Sequence, residues 1–258
     1  MTRGAFEAEH ALYEFVPEYV PRPVSHGAYS TRFDLCHYLC EFVDMVDEVP
    51  SPVAWAEAAA ALHKRSMKPG QQFGFHCTNY SAHVPITHER KPFWEAAWAF
   101  QMESLLNQDN LLHGTDEEYS NLQASFFDVV IPTYLRPLES GDRSITPCLI
   151  HSDLRPGNVK PRIGSDTICM LNSSAYWGHH EAELGICRIP HYRLGNRYVE
   201  EYLKHMPISE PKEDFDVRNA IYAMKHHVLL SLIHHEDPSF RQIAIDEMKQ
   251  LVERAASS

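Results

Sequence analysis

A chain of 258 residues, 44% hydrophobic and 22% charged, has the composition of a packed globular protein with one large domain or two lobes. Its net charge of -12, with no cluster of Lys and Arg, argues against a surface for nucleic acid or anionic membrane. No uncharged run approaches a membrane span and Met1 to His10 lack the apolar core of a signal peptide, so a cytoplasmic location is expected.

Residues 4 to 16 read as a short amphipathic helix, with Phe6, Leu12 and Phe15 apolar and Glu7, Glu9 and Glu14 polar. Pro17, Pro21 and Pro23 end it and lead into an extended segment. Residues 33 to 43 are rich in Phe, Leu, Cys, Tyr and Val and predict one or two strands around a turn. After Pro50 and Pro52, residues 53 to 66 form an Ala-rich helix ending in Leu62-His63-Lys64. Residues 69 to 92 read as a long loop, of the kind that is usually functional or mobile. Pro92 starts a helix whose apolar set is Phe93, Trp94, Ala97, Phe100 and Leu105. A further helix over 116 to 138 must bend or split at Pro132.

Cys148, Leu149 and Ile150 end an apolar strand, and a tight polar loop follows: His151-Ser152-Asp153-Leu154-Arg155-Pro156-Gly157-Asn158, with Val159 starting a second strand. The loop gathers an imidazole, a carboxylate and an amide. Such spacing can hold Asp153 near a substrate hydroxyl and the amide oxygen of Asn158 on a metal ion, the arrangement phosphoryl transfer uses. Gly157 is expected to turn the backbone through positive φ just before the Asn. A solvated turn rich in Asp, Pro, Gly and Asn is the plainer reading of the same residues. Thr167 to Leu171 is a further β-type run, and the chain past Pro190 is helical. One helix covers 197 to 205. Asp214 or Asp216 caps the next, with Ile221, Met224, Val228 and Leu232 on one face, and Ser239 caps the last. The six cysteines include no C-x-x-C pair and read as reduced thiols. The seventeen histidines lack the closed spacing of a structural zinc site and read as packed or surface residues.

The loop 151 to 158 resembles the H-G-D-L-W-x-G-N motif of the fructosamine/ketosamine 3-kinase family, relatives of the aminoglycoside phosphotransferases, with Ser152 for Gly and Arg155 for Trp. The segment Gly178-His179-His180-Glu181-Ala182-Glu183-Leu184 is similar to the family's Gly-His-x-Glu-x-(Asp/Glu)-Leu, and Phe6 to Glu9 to its Phe-x-x-Glu helix. The similarity runs over roughly residues 5 to 254 and is strongest from 148 to 235. It implies an α+β, protein-kinase-like fold, with 1 to 45 the remnant of a small lobe and hinge and 46 to 258 a helical catalytic lobe. It also implies ATP and Mg2+ as cofactors, and a small-molecule or glycated-amine acceptor phosphorylated on a sugar-derived hydroxyl.

By the same resemblance, Asp153 is the catalytic base or orienting group, with His151 beside it, and Asn158 is a magnesium ligand. Glu9 and the hinge residues Glu41, Phe42 and Val43 serve the nucleotide, and Glu183 is a secondary acidic group. Asn172 stands where the family has a metal-binding Asp. The family's opening strands, with their phosphate-covering loop and Lys, have no counterpart in the sequence, so Glu9 is expected to lack its partner. Three readings follow: a kinase of this type with impaired activity, a pseudokinase that keeps the lobe as a binding or scaffold protein, or an incomplete chain whose first segment was lost in defining the coding sequence. The acceptor pocket is expected between loops 69 to 92 and 172 to 185.

Overall fold

The computed structural model describes residues 1–257. Helix α1 (Thr2–Phe15) turns Ala8, Glu9 and Leu12 inward, and strands β1 (Pro23–Tyr29) and β2 (Arg32–Cys40) follow as an antiparallel hairpin. The predicted strand region is therefore two strands, the first of them in the segment read only as extended. No alternating pattern announces β1, because the hairpin is at most half-buried: Phe6 of α1 covers His26 and Tyr38, while Val24, Phe33, Leu35 and Leu39 are exposed. Strand β2 stops at Cys40, so Glu41, Phe42 and Val43 lie outside the ladder, unlike the predicted hinge strand. Glu41 is nonetheless anchored: its N–H donates to the Arg22 carbonyl at 2.9 Å, and its carboxylate accepts from the Arg22 N–H at 3.1 Å.

Helix α2 (Pro52–Ser66) starts at Ser51, whose hydroxyl accepts from the Ala54 N–H. Its alanines allow close approach to the strand that precedes the polar loop, and the Ser66 hydroxyl accepts from the Leu149 N–H at 2.9 Å. The segment from 69 to 92 is not structureless. It contains a hairpin of β3 (Asn79–Ser81) and β4 (Val84–Ile86), and Gly74 bridges to Trp177. Helix α3 (Trp94–His113) begins as predicted. The next helical region splits at Pro132 into α4 (Glu117–Ser125), a π turn (Phe126–Val130), α5 (Ile131–Leu135) and a 3-10 turn (Arg136–Glu139). Proline donates no hydrogen bond to the preceding turn, and the widened turn absorbs the break.

Strand β5 (Cys148–Ile150) pairs with β8 (Tyr176–Gly178) and encloses the hairpin of β6 (Val159–Pro161) and β7 (Ile168–Met170). A 3-10 segment (His180–Arg188) leads to α6 (Asn196–Leu203), α7 (Phe215–Ile233) and α8 (Pro238–Ala256). The α8 cap is Asp237, whose carboxylate accepts from the Ser239 N–H, in place of the predicted Ser239; Asp214 begins α7 without a side-chain cap bond.

One buried cluster runs from Ala8 to Leu251 and surrounds α7, with Trp94, Trp98 and Tyr222 at its centre. Segment 180 to 188 lies directly on α7, with Gly185 at the contact. Polar groups in this layer are paired. Arg218 Nε donates to Glu181 at 2.8 Å, and His179 joins the Tyr222 hydroxyl at 2.9 Å to the Ser209 hydroxyl at 2.8 Å. His180 reaches the Tyr202 hydroxyl. His179, His180 and Glu181 cluster closely enough to suggest a metal site, but these partners already occupy them. All six cysteines are unpaired thiols. Among the described residues, no helix is long and apolar enough to cross a membrane.

Candidate active site

The polar loop between β5 and β6 is held from below by one carboxylate. Glu183, buried in the 3-10 segment, accepts from the His151 N–H at 2.6 Å and the Ser152 N–H at 2.8 Å, with His63 Nε2 of α2 at 3.5 Å. Burial alone would raise this carboxyl; the His63 hydrogen bond, the charges nearby and the His151 N–H outweigh it and hold Glu183 below the ordinary carboxylate range. Two backbone amides bonded to one ionised side chain fix the path of the loop.

Ser152 takes φ +74, a left-handed conformation that a side chain adopts at a cost of about 1–2 kcal/mol. Its hydroxyl accepts from the Lys225 ammonium, which rises from α7 and lies 4.7 Å from the centre of the Tyr176 ring. Burial pulls Lys225 down to about 8, against the raising influence of Glu183 and Asp153. Gly157 does not have the expected positive φ; the left-handed positions are Ser152 and Asn172. Gly157 lets the Arg155 guanidinium fold across it; a Cβ there would meet Nη1, the movable end of that side chain.

These constraints bring the predicted residues 151, 153, 158 and 172 together. His151 Nδ1 accepts from the Asp153 N–H at 3.2 Å, and Nε2 donates to the Leu171 carbonyl at 3.2 Å. Burial pushes His151 down to about 4, so the ring is neutral and acts as a brace. Asp153 Oδ2 accepts from Asn158 Nδ2 at 2.7 Å and lies 3.5 Å from Arg155 Nε. Its Oδ1 has no hydrogen-bond partner among the described residues and is not sealed from solvent. Burial raises the Asp153 carboxyl to about 6, with Arg155, Lys225 and Asn158 opposing the rise. Asn158 thus spends its NH2 group on Asp153 and presents its Oδ1 towards Asn172 Nδ2, 3.4 Å away.

Glu9 of α1 reaches the same end of the site. Its Oε1 accepts from the Ser173 N–H at 2.8 Å, while Oε2 is buried without a hydrogen-bond partner among the described residues. Burial raises Glu9 to about 7. Glu41, Phe42 and Val43 are not in the group around Asp153; they leave the hairpin at the outer edge, and Phe42 is 85% exposed.

On the other side of Asp153 lies a pocket of about 280 Å³, bounded by Asp153 and Arg155, Ser81 of the β3–β4 turn, His191, Tyr192 and His234. Leu230 and Ile233 of α7 form its apolar wall. The expected wall from residues 69 to 92 is present in Ser81 and Ala82. The 172 to 185 segment instead supports the loop from behind, and its place in the wall is taken by 191 to 192 and the end of α7. Lys225 is absent from the expected site residues: beside His226 and His227, in a helix that also holds Arg218, it carries no local signal. The roles of His63 and the pocket histidines have no local signal, since partners far along the chain create them.

The chain matches the family described as Fructosamine kinase over residues 2–254. It is 24% identical over 234 residues to the chloroplastic protein-ribulosamine 3-kinase of Arabidopsis thaliana, covering 86% of this chain and 65% of the relative. With the chloroplastic protein-ribulosamine 3-kinase of Oryza sativa subsp. japonica it shares 24% identity over 227 residues, 84% of this chain and 59% of the relative. The chain therefore spans 59% to 65% of the length of these relatives. Among solved structures, a candidate fructosamine-3-kinase from Thermobifida fusca superposes with a TM-score of 0.74 at 19% identity, covering 98% of this chain and 80% of that one. A thermostable mutant of aminoglycoside phosphotransferase APH(4)-Ia, in ternary complex with AMP-PNP and hygromycin B, gives a TM-score of 0.67 at 14% identity, over 98% of this chain and 84% of that one. The fold is thus the mostly helical α+β architecture of those phosphotransferases, and the chain belongs to the fructosamine kinase family.

Proposed function

We propose that this protein is an ATP-dependent phosphotransferase that phosphorylates a sugar-derived hydroxyl of a ketosamine. The carrying observation is Asp153: an immobilised carboxylate with Oδ2 bound to Asn158 and Oδ1 open beside a pocket. The acceptor hydroxyl donates to Oδ1 and attacks the terminal phosphorus of ATP. The bond to the bridging oxygen breaks, ADP leaves, and the hydroxyl proton passes to Asp153. With its carboxyl raised only to about 6, Asp153 is mainly ionised at neutral pH and able to take that proton. His151 and Glu183 are positioning residues, since each holds the loop through its backbone. Glu9 and Glu41 to Val43 are assigned to the nucleotide side, following the resemblance.

The donor set suits magnesium that arrives with a polyphosphate. The Asn158 amide oxygen takes one long hydrogen bond, from Asn172 Nδ2 at 3.4 Å, and Asn172 adds a second amide. Both are hard oxygens without charge, so the phosphates must supply the negative ligands. When bound, the ion neutralises charge on the phosphates; Asn158 and Asn172 are the residues that would hold it.

A second reading is favoured by Asn172 itself: a protein that binds nucleotide or acceptor without turnover. Thermal unfolding with ATP and magnesium, followed by ADP release in the presence of a ketosamine, separates the two. A ligand at a hundred times its dissociation constant adds about 2.7 kcal/mol. A magnesium-dependent shift plus turnover abolished by Asp153→Ala supports the kinase. A shift without turnover, with Asn172→Asp restoring nothing, supports the binding protein. No shift at millimolar ATP removes the kinase reading for this chain.

A further inference from the structure

Arg155 has one ionic partner and room for another. Among the described residues, its one contact with an acid is Nε to Asp153 Oδ2 at 3.5 Å, long for a salt bridge, and its terminal nitrogens make no hydrogen bond. The side chain is 38% exposed and folds back over Gly157, whose missing Cβ leaves the guanidinium its place. It faces the pocket on the α7 side of Asp153, where Arg155 is the single Arg or Lys and Asp153 the single carboxylate among the lining residues. His191 and His234, with ring centroids 5.9 Å apart, lie across the same pocket. Ala82, on the rim, has φ +50, a left-handed conformation that is strained for alanine.

We propose that Arg155 forms an oxyanion subsite in the acceptor pocket, selecting ketosamines that carry a carboxylate close to the sugar, such as adducts of free α-amino acids. This rests on the phosphotransferase reading above. A guanidinium with unused donors in a half-enclosed pocket matches a carboxylate in a two-pronged hydrogen bond. The anion belongs to the acceptor because Glu9, Asn158 and Asn172, the groups of the nucleotide side, do not line this pocket. The oxyanion of a terminal phosphate shares the same chemistry, and the experiment must distinguish the two sources.

The probes are 1-deoxyfructosyl-glycine and its amide, differing by one negative charge, with binding measured by calorimetry in the absence of nucleotide so that turnover is not needed. The expected result is about tenfold tighter binding of the acid, a ratio that falls to about one in Arg155→Gln and is partly kept in Arg155→Lys. The half-exposed position makes misfolding of these variants easy to exclude by circular dichroism. Equal affinity for acid and amide in the unaltered protein overturns the inference while leaving ketosamine binding, and the kinase reading, intact. Equal affinity together with an ATP-over-ADP stabilisation lost in Arg155→Gln overturns it in favour of the terminal phosphate. An acid preference unchanged in Arg155→Gln overturns the role of Arg155. Binding of neither probe overturns both the inference and the ketosamine assignment.

Discussion

Replacing Glu183 by Gln tests whether a single buried carboxylate sets the geometry of the loop. The carboxylate accepts two backbone N–H groups at 2.6 and 2.8 Å and has no solvent to replace them. Gln keeps one acceptor oxygen and sets an NH2 group against the other N–H, leaving two donors face to face. Hydrogen bonds to a charged group contribute about 1.5–3 kcal/mol, and a buried donor without a partner costs about 1–3 kcal/mol, so a net loss of about 2–4 kcal/mol is expected. At ~2–4 °C per kcal/mol for a chain of this size, the midpoint should fall by roughly 5–15 °C.

The deficit must also depend on pH. The Glu183 carboxyl is held below its ordinary value of 4.5, so its contribution is complete above that pH and is lost as pH falls through the lower folded value. Urea unfolding of both proteins from pH 7.5 down to pH 4 should show a gap that is widest near neutrality and narrows below about pH 4.5. A variant within 0.5 kcal/mol of the parent, or a gap that does not change with pH, would refute the assignment of Glu183 as the ionised brace.

Three further outcomes follow from the packing and charge of the same region. Asp153→Asn should lose turnover at least a thousandfold yet be no less stable at pH 7.5, because the Asp153 carboxyl is raised to about 6; the parent loses stability as pH rises from 3.8 to 6, so the two unfolding curves should converge below pH 4. Gly185→Ala places a Cβ 2.6 Å from the Tyr222 carbonyl carbon, where α7 cannot retreat, and should cost about 1–3 kcal/mol or more in denaturant unfolding. Arg218→Met leaves Glu181 buried without its cation and should cost about 3–5 kcal/mol at neutral pH, measured the same way.

The sequence alone determined the order and kind of the longer elements, since helical periodicity and its interruptions are local properties. Pro52 marks the start of α2, Pro132 marks the split that the π turn absorbs, and apolar runs mark β5 and β7. It also placed Asp153, Asn158 and His151 in one loop, because their spacing is itself the motif. What it could not give were features that partners distant in the chain create. Strand β1 carries no alternation, because the hairpin is at most half-buried, and β8 becomes a strand only by pairing with β5. Backbone freedom is the role the sequence suggests for Gly157, but its φ is ordinary and its open side carries the folded Arg155 guanidinium instead. Lys225 is one of several polar residues in α7, with Arg218, His226 and His227, and only the packing of α7 against the loop gives it the Ser152 hydroxyl. The resemblance marks Glu183 as a secondary acidic group; only the fold gives it two backbone amides to hold, because hydrogen bonds buried away from water depend on which segments the core brings together.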